Sequence, residues 1–396
     1  MNKISYSFSY HNGLQFNFSN NKKLLIDGST TKISPKTTSI VSHAHSDHFS
    51  VMNSNIPTYA TQETIDLYLC QKTGNTRGIF HPMRFNEKFE LETDFDDLEV
   101  TLVSSGHILG SASILLELAG KKILFSSDIG GKGLLTIKEP LAKPEVDTLI
   151  VEATFGSPEI SFQPREEISM DILKWAANAI KEKRNVVISA GRIGSAQELI
   201  KLFNDFTNLR VITHGDVSPP SEVYKKHDIN LEFKDSKSDE GREIVKSGEA
   251  VIIQSRERKI VPYFLSEHIK YRSAIVTGMA SRFSYKDFDA SFPLSSHASF
   301  DELLDYISKV TPKKVFTLYG FEKKLAKAIS NELQIPAIPL KDKSLEEGLE
   351  NLVEIPHLKK TQNINLLTEK PLLPEEQQKK PSLQKDKTLD DFFRKR

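Results

Sequence analysis

Six residues, His43-Ala44-His45-Ser46-Asp47-His48, bring three imidazoles and a carboxylate together. A lone histidine is ordinarily a surface or satisfied core residue, and the chain spreads 11 of them over 396 positions. Three in six with an aspartate is a different pattern. Imidazole and carboxylate together suit zinc or a neighbouring first-row metal, whereas calcium and magnesium sites are built from oxygen alone. The preceding Thr38-Ser39-Ile40-Val41-Ser42 is β-branched and apolar and reads as a strand. In an extended chain His43 and His45 project to the same side, and Asp47 and His48 fall where the chain turns towards a helix. So short a run supplies only part of a metal site. The fold must carry further ligands to it on other strand ends.

The length allows two to three domains, and a 38% hydrophobic content supports an ordinary buried core. Lys plus Arg and Asp plus Glu are equal at 53 each, so net charge neither points to nucleic acid nor excludes it. Cys70 is the single cysteine, which excludes an intramolecular disulfide framework and any cysteine-ligated zinc module. The metal must be held by histidine and carboxylate. No basic leader with a cleavage site and no apolar run of about 18 residues is present, so the expectation is an intracellular, soluble, cytoplasmic protein, nuclear in a eukaryote, with no membrane partner.

Up to about residue 155 the texture is short strands and turns: Leu24–Gly28, Leu98–Val103, Ser113–Leu118, Lys122–Phe125 and Thr148–Val151, with a helical stretch near Glu63–Leu69. From about 165 helices and strands alternate: Glu166–Lys183 as an amphipathic helix, Asn185–Ser189 as a buried strand, Ala196–Phe206 as a helix, Arg210–Thr213 as a strand. A last α/β segment holds Ser273–Thr277, the helix Phe300–Lys309 and the strand Lys314–Leu318. Beyond about 350 apolar density falls, and Glu369–Pro381 has the composition of a flexible linker.

Two further places offer ligands. His107 follows a strand between glycines, in Ser105-Gly106-His107-Ile108-Leu109-Gly110-Ser111, and Asp128 follows another in Ser126-Ser127-Asp128-Ile129-Gly130. On spacing alone each is as readily a turn residue as a ligand.

With these residues in view the chain resembles the metallo-β-lactamase fold nucleases of the β-CASP group. The resemblance rests on Asp27, on His43-Ala44-His45-Ser46-Asp47-His48, on Gly106-His107-Ile108-Leu109-Gly110-Ser111 and on Ser127-Asp128. It extends through Glu152-Ala153-Thr154-Phe155-Gly156, Gly191-Arg192 with Ala196-Gln197-Glu198-Leu199, and Ser295-Ser296-His297-Ala298. These run in the family's order over roughly residues 20 to 325.

The resemblance implies that His43, His45 and His107 hold a first zinc, that Asp47 and His48 hold a second, and that Asp128 bridges them. Asp27 would lie behind the ligands and orient them; a turn-forming Asp before Gly28 is the plainer alternative. Glu152 and His297 would be paired at the active site, with His297 kept protonated to serve a leaving oxygen. Two cations about 4 Å apart suit in-line hydrolysis of a phosphodiester.

The chain also departs from the pattern. The RNA-processing members end a later strand in a His-Gly that supplies a ligand to the second metal; here the text is Thr317-Leu318-Tyr319-Gly320, so the second ion is expected to be weak or substrate-dependent. Ser299 replaces an acidic residue after Ser295-Ser296-His297-Ala298. Arg192 reads equally as a phosphate contact or a capping residue, His214 as structural or cleft-lining, and His81 as structural.

The last residues, Leu389-Asp390-Asp391-Phe392-Phe393, resemble a peptide that docks sliding clamps (PCNA), with Leu389, Phe392 and Phe393 as apolar plugs and Asp386 where a glutamine is usual. The plainer alternative is a tail with incidental aromatics.

The resulting expectation is an α/β protein: a metallo-β-lactamase αββα sandwich from residues 1–160 and 275–345, a β-CASP domain inserted at 161–274, and a flexible tail at 346–396. Its activity would be zinc-dependent hydrolysis of DNA phosphodiesters, exonucleolytic, in repair or replication. The rival readings are an RNA-processing nuclease and a non-catalytic clamp-bound scaffold.

Overall fold

The computed structural model describes residues 6–18, 20–29, 36–89, 91, 98–256 and 269–340, together with the backbone of 345–346. Leu389, Phe392 and Phe393 lie outside the described residues.

Period-two alternation builds the first layers. Leu24 and Ile26 bury inward with Phe8, Phe16 and Ile40, while Leu25 between them faces the opposite side with Val41, Ile65 and Tyr68. Val100 and Leu102, Ile114 and Leu116, Phe125 and Ile150 enter that same inner cluster, whereas Val103, Leu115, Leu124 and Val151 face outward. Two sheets therefore meet face to face over one apolar core, as strands buried on both faces require.

The first sheet runs in the order Leu345–Glu346, Tyr6–Tyr10, Leu14–Phe18, Lys23–Ile26, Thr37–Ile40, Pro57–Thr61, Ile79–Met83. The second runs Ala337–Pro339, Lys314–Leu318, Thr148–Glu152, Lys121–Phe125, Ala112–Leu118, Leu98–Ser104, Lys88–Phe89. The helix Gln62–Leu69 covers the outer face of the first through Ile65 and Tyr68. The helix Phe300–Val310 covers the outer face of the second through Leu303, Tyr306 and Ile307. Ser299 starts that helix: its hydroxyl accepts from Glu302 N, and Glu302 Oε2 accepts from Ser299 N. Capping thus accounts for a serine at this position.

A third, wholly parallel sheet has the order Lys234–Asp235, Arg210–His214, Ala250–Ser255, Asn185–Ala190, Tyr271–Val276, Ala290–Phe292. It extends beyond residue 274, because Tyr271–Val276 and Ala290–Phe292 both pair within it. The helices Arg165–Lys181 and Ser195–Phe206 supply Ile172, Ala176, Leu199 and Phe203 to its core.

This lobe packs tightly against the other two sheets. Gly194, at φ +86°, lies so close to Ile108 that a Cβ there would sit 2.6 Å from Ile108 Cγ2. Tyr224 Oη accepts from Leu109 N at 3.2 Å, and Glu198 accepts from Leu135 N and Thr136 N at 2.9 and 2.8 Å. Among the described residues no helix is long and apolar enough to cross a membrane.

Candidate metal centre

The strand leading into the histidine run is Thr37–Ile40, ending two residues earlier than the sequence suggests, and His43–His48 form the turn beyond it. Asp27 organises this turn. It follows the adjacent strand Lys23–Ile26, and its carboxylate accepts from Ser42 N at 2.7 Å and Ser42 Oγ at 2.6 Å. It lies 2.9 Å from His48 Nδ1. Asp27, Ser127 and Tyr319 all hold positive φ, at 51°, 54° and 63°, a strained backbone for non-glycine residues that clusters at functional sites.

The side chains at these strand ends converge. His43 Nε2 lies 3.1 Å from His45 Nδ1 and 3.4 Å from Asp128 Oδ2. His107 Nε2 lies 3.3 Å from His45 Nδ1 and 3.7 Å from Asp128 Oδ2. Four donors on a zinc ion at about 2.0–2.1 Å in a tetrahedron stand about 3.3–3.4 Å apart, so this spacing fits such an ion. On the other side of Asp128, His48 Nε2 lies 3.7 Å from Oδ2 and 3.6 Å from Asp47 Oδ2. One carboxylate oxygen is thus common to both groups. Asp47 is 80% exposed, unlike its buried neighbours.

The hydrogen bonds behind the rings decide which nitrogen faces inward. His45 Nε2 meets Ile193 O at 3.2 Å and His107 Nδ1 meets Ser296 O at 3.4 Å, both acceptors only. Ser127 Oγ donates to Ser42 Oγ, which donates to Asp27, so His43 Nδ1, 3.0 Å from Ser42 Oγ, must donate to it. His48 Nδ1 faces the Asp27 carboxylate. In every case the proton sits on the outer nitrogen. The inward nitrogens of His43, His45 and His107 therefore present lone pairs beside Asp128, and His48 Nε2 would join this donor set once a divalent cation displaces its second proton.

Electrostatics follow from the same crowding. Burial, with the His43 imidazole beside it, pushes His45 down to about 3, and burial with His297 holds His107 well below the usual imidazole range. Burial opposes a charge on His48, yet the Asp128 and Asp27 carboxylates prevail and push it up to about 10. Burial likewise opposes ionisation of Asp128, and His48 and His43 overcome it, holding the carboxyl well below its usual range.

Glu152 ends the strand Thr148–Glu152 and is buried. Its Oε1 accepts from Ile129 N at 2.9 Å and lies 3.3 Å from His297 Nδ1, while Oε2 accepts from Thr154 N at 3.0 Å. Ala298 N donates to Ile129 O at 2.8 Å, which sets His297 beside the cluster, its Nε2 4.0 Å from Asp128 Oδ2. Burial disfavours charge on His297, but Glu152 outweighs it and pushes the imidazole up to about 9.

Tyr319 completes the rim. Its ring meets His48 edge-on at 5.8 Å and Tyr10 at 5.7 Å, with a side-chain hydrogen bond to Tyr10. Burial and the nearby Asp27 push its phenol well above the usual value.

Asp27, His43, His45, Asp47, His48, His107, Asp128, Glu152 and His297 are thus brought together from strand ends far apart in sequence. His214 is elsewhere, its Nδ1 2.8 Å from Ser236 Oγ, and His81 stacks on Tyr59 at 4.6 Å. Sequence reasoning missed Gln71 and Arg256, which line the same cavity of about 300 Å³ as Arg192. The signal for Arg256 was present: an arginine three residues after the apolar run Ala250–Ile253.

No protein-family model matches the chain. The chain is similar to an RNase J-like protein. That protein, from Methanocaldococcus jannaschii, is 30% identical over 215 residues, covering 48% of this chain and 49% of the relative. A probable DNA ligase of Opitutus terrae is 29% identical over 321 residues, covering 80% of this chain and 30% of the relative. Transcription termination factor FttA of Pyrococcus horikoshii is 27% identical over 197 residues, covering 43% and 30%. The chain thus spans less than half the length of each of these relatives. A protein of unknown function from Enterococcus faecalis shares the fold, with a TM-score of 0.60 over 87% of this chain and all of that one at 12% identity.

Proposed function

We propose that this chain is a metal-dependent nuclease of the metallo-β-lactamase fold β-CASP group, hydrolysing phosphodiester bonds in RNA. The observation that carries the reading is the convergence of His43, His45 and His107 on Asp128, whose Oδ2 is shared with His48. In this reading the lobe of two facing sheets is the metal-binding half, and the parallel sheet that follows residue 160 is the inserted one.

His43, His45, His107 and Asp128 would hold a first zinc ion, and Asp47 and His48, with Asp128, a more weakly held second. Bound divalent metal at such a cluster polarises a phosphoryl oxygen and acidifies water. The rest falls to the protein. Glu152 keeps the proton on His297, whose Nε2 faces the cluster at 4.0 Å from Asp128. As a water oxygen bonds to phosphorus and its proton is lost to solvent, the bond to the leaving oxygen breaks and His297 delivers its own proton there. Asp27 acts through the rings, holding Ser42 and His48 in place.

The names of the relatives favour RNA over the DNA exonuclease expected from sequence, since an RNase J-like protein and a transcription termination factor are among them. One observation favours DNA as a second reading: the relative named a probable DNA ligase aligns with 80% of this chain. Matched single-stranded RNA and DNA of identical sequence, incubated with purified protein and zinc, separate the two. Faster cleavage of RNA is expected, and a clear preference for DNA would reverse the substrate assignment.

A further inference from the structure

The cavity beside the metal cluster has two chemically different walls. One is the ligand wall, with His45, Asp47, His48 and Asp128; facing it are Arg192 and Arg256. These arginines come from the carboxyl ends of two neighbouring parallel strands, Asn185–Ala190 and Ala250–Ser255, which pair Ala190 with Ser255. Arg256 N donates to Ala190 O at 2.8 Å, so the register of the sheet brings Arg256 beside the strand end that leads into the turn carrying Arg192, and both line the one cavity. The carboxyl edge of a parallel sheet is where α/β proteins present ligand-binding groups.

Among the described residues no carboxylate pairs with either guanidinium, whereas Arg165, Arg210, Arg242 and Arg272 each meet one. Arg192 is instead held by an amide. Gln71 Nε2 donates to Leu67 O at 2.8 Å and Ala44 O at 3.2 Å, and its Oε1 accepts from Arg192 Nη2 at 2.5 Å. Ala44 lies between the ligands His43 and His45, so one side chain ties the arginine to the metal-binding turn. Arg256 Nη1 makes a long contact to Thr277 Oγ1 at 3.4 Å. A neutral partner fixes an arginine without cancelling its charge, which suits a group waiting for an anion.

We propose that Arg192 and Arg256 bind the phosphates flanking the scissile one on a nucleic-acid strand, with Gln71 as the positioning residue for Arg192. This rests on the phosphodiesterase reading and adds to it a requirement for consecutive phosphates. The substrate is then a strand rather than an isolated diester.

The test uses the full chain and the variants Arg192→Ala, Arg192→Lys, Arg256→Ala and Gln71→Ala. Binding of a fluorescent single-stranded 12-mer is followed by anisotropy across salt concentrations, and hydrolysis of bis(p-nitrophenyl) phosphate, a diester with no flanking phosphate, is measured alongside. Each arginine-to-alanine change should weaken 12-mer binding roughly tenfold or more and lower the salt slope by about 0.7. The loss on the small diester should be at least about tenfold smaller than on the 12-mer. Arg192→Lys should recover part of the affinity, and Gln71→Ala should weaken binding with the salt slope nearly kept. Unchanged affinity and slope in both alanine variants, or equal losses on both substrates, would overturn the proposal. If the wild-type chain hydrolyses neither substrate while 12-mer binding depends on the arginines, the wall stands and the nuclease reading falls.

Discussion

Glu152 Oε1 lies 3.3 Å from His297 Nδ1 and accepts from Ile129 N at 2.9 Å, so the carboxylate that charges the imidazole is itself fixed by the loop carrying Asp128. His297, the proposed proton donor, and Asp128, a proposed metal ligand, are thereby held in one frame.

This pairing predicts a leaving-group signature. His297→Ala should lower kcat on an oligonucleotide by roughly 10²–10⁴. It should lower kcat far less on bis(p-nitrophenyl) phosphate, whose nitrophenolate departs without a proton. Glu152→Gln should act in the same direction and more weakly. Equal losses on both substrates would remove His297 from that role.

Asp27 predicts a linked loss of stability and metal affinity. It receives Ser42 N, Ser42 Oγ and His48 Nδ1 in a buried position. Asp27→Ala leaves these groups unsatisfied and should cost roughly 2–4 kcal/mol, read by urea denaturation. Zinc affinity should fall roughly 10–100-fold in competition with a chelating dye.

Most of this candidate centre was legible in the sequence, because each candidate ligand lies at or just beyond a strand end and alternation marks strands well. Leu24–Ile26, Leu98–Ser104 and Lys121–Phe125 were legible for that reason, and Asp27, His107 and Asp128 follow them directly or within three residues. Tyr6–Tyr10 and Leu14–Phe18 carry the same alternation, with Ser, Gln and Asn between the apolar residues, and were equally legible as half-buried strands although the sequence reading did not name them. The arginine wall was only half visible, since the pairing that brings Arg256 to the cavity lined by Arg192 joins residues far apart in sequence. The Gln71 amide bond to Arg192 has no sequence signature at all.

Unequal metal sites are a further expectation. Elemental analysis after dialysis should find close to one zinc per chain, with a second ion taken up only at higher concentration. His43→Ala should lose the tight ion, and Asp47→Ala should keep it. Tyr319→His should strengthen the second ion, because an imidazole would replace the phenol that now faces His48. Two ions retained equally in the wild-type chain would contradict this.

The lobes also share a pH-dependent contact. Asp66, on the helix Gln62–Leu69, meets Lys226 Nζ at 2.6 Å and His227 Nε2 at 2.7 Å across the interface. Burial works against its charge, yet hydrogen bonds from Lys226 and His227 prevail and lower its pKa. A depressed folded pKa contributes stability above the unfolded value, about 3.9, and loses it as pH falls through the folded value. Asp66→Asn should therefore cost about 0.5–1 kcal/mol at pH 7 and progressively less between about pH 5 and 3. Urea titrations at several pH values check this.

The most direct measurement is cleavage of a labelled single-stranded RNA by purified chain before chelation, after chelation and after zinc is returned, beside Asp128→Ala. The account predicts cleavage that stops on chelation, returns with zinc and is absent in the variant. Cleavage that survives both chelation and Asp128→Ala, or no cleavage of RNA or DNA by zinc-loaded protein, would contradict it.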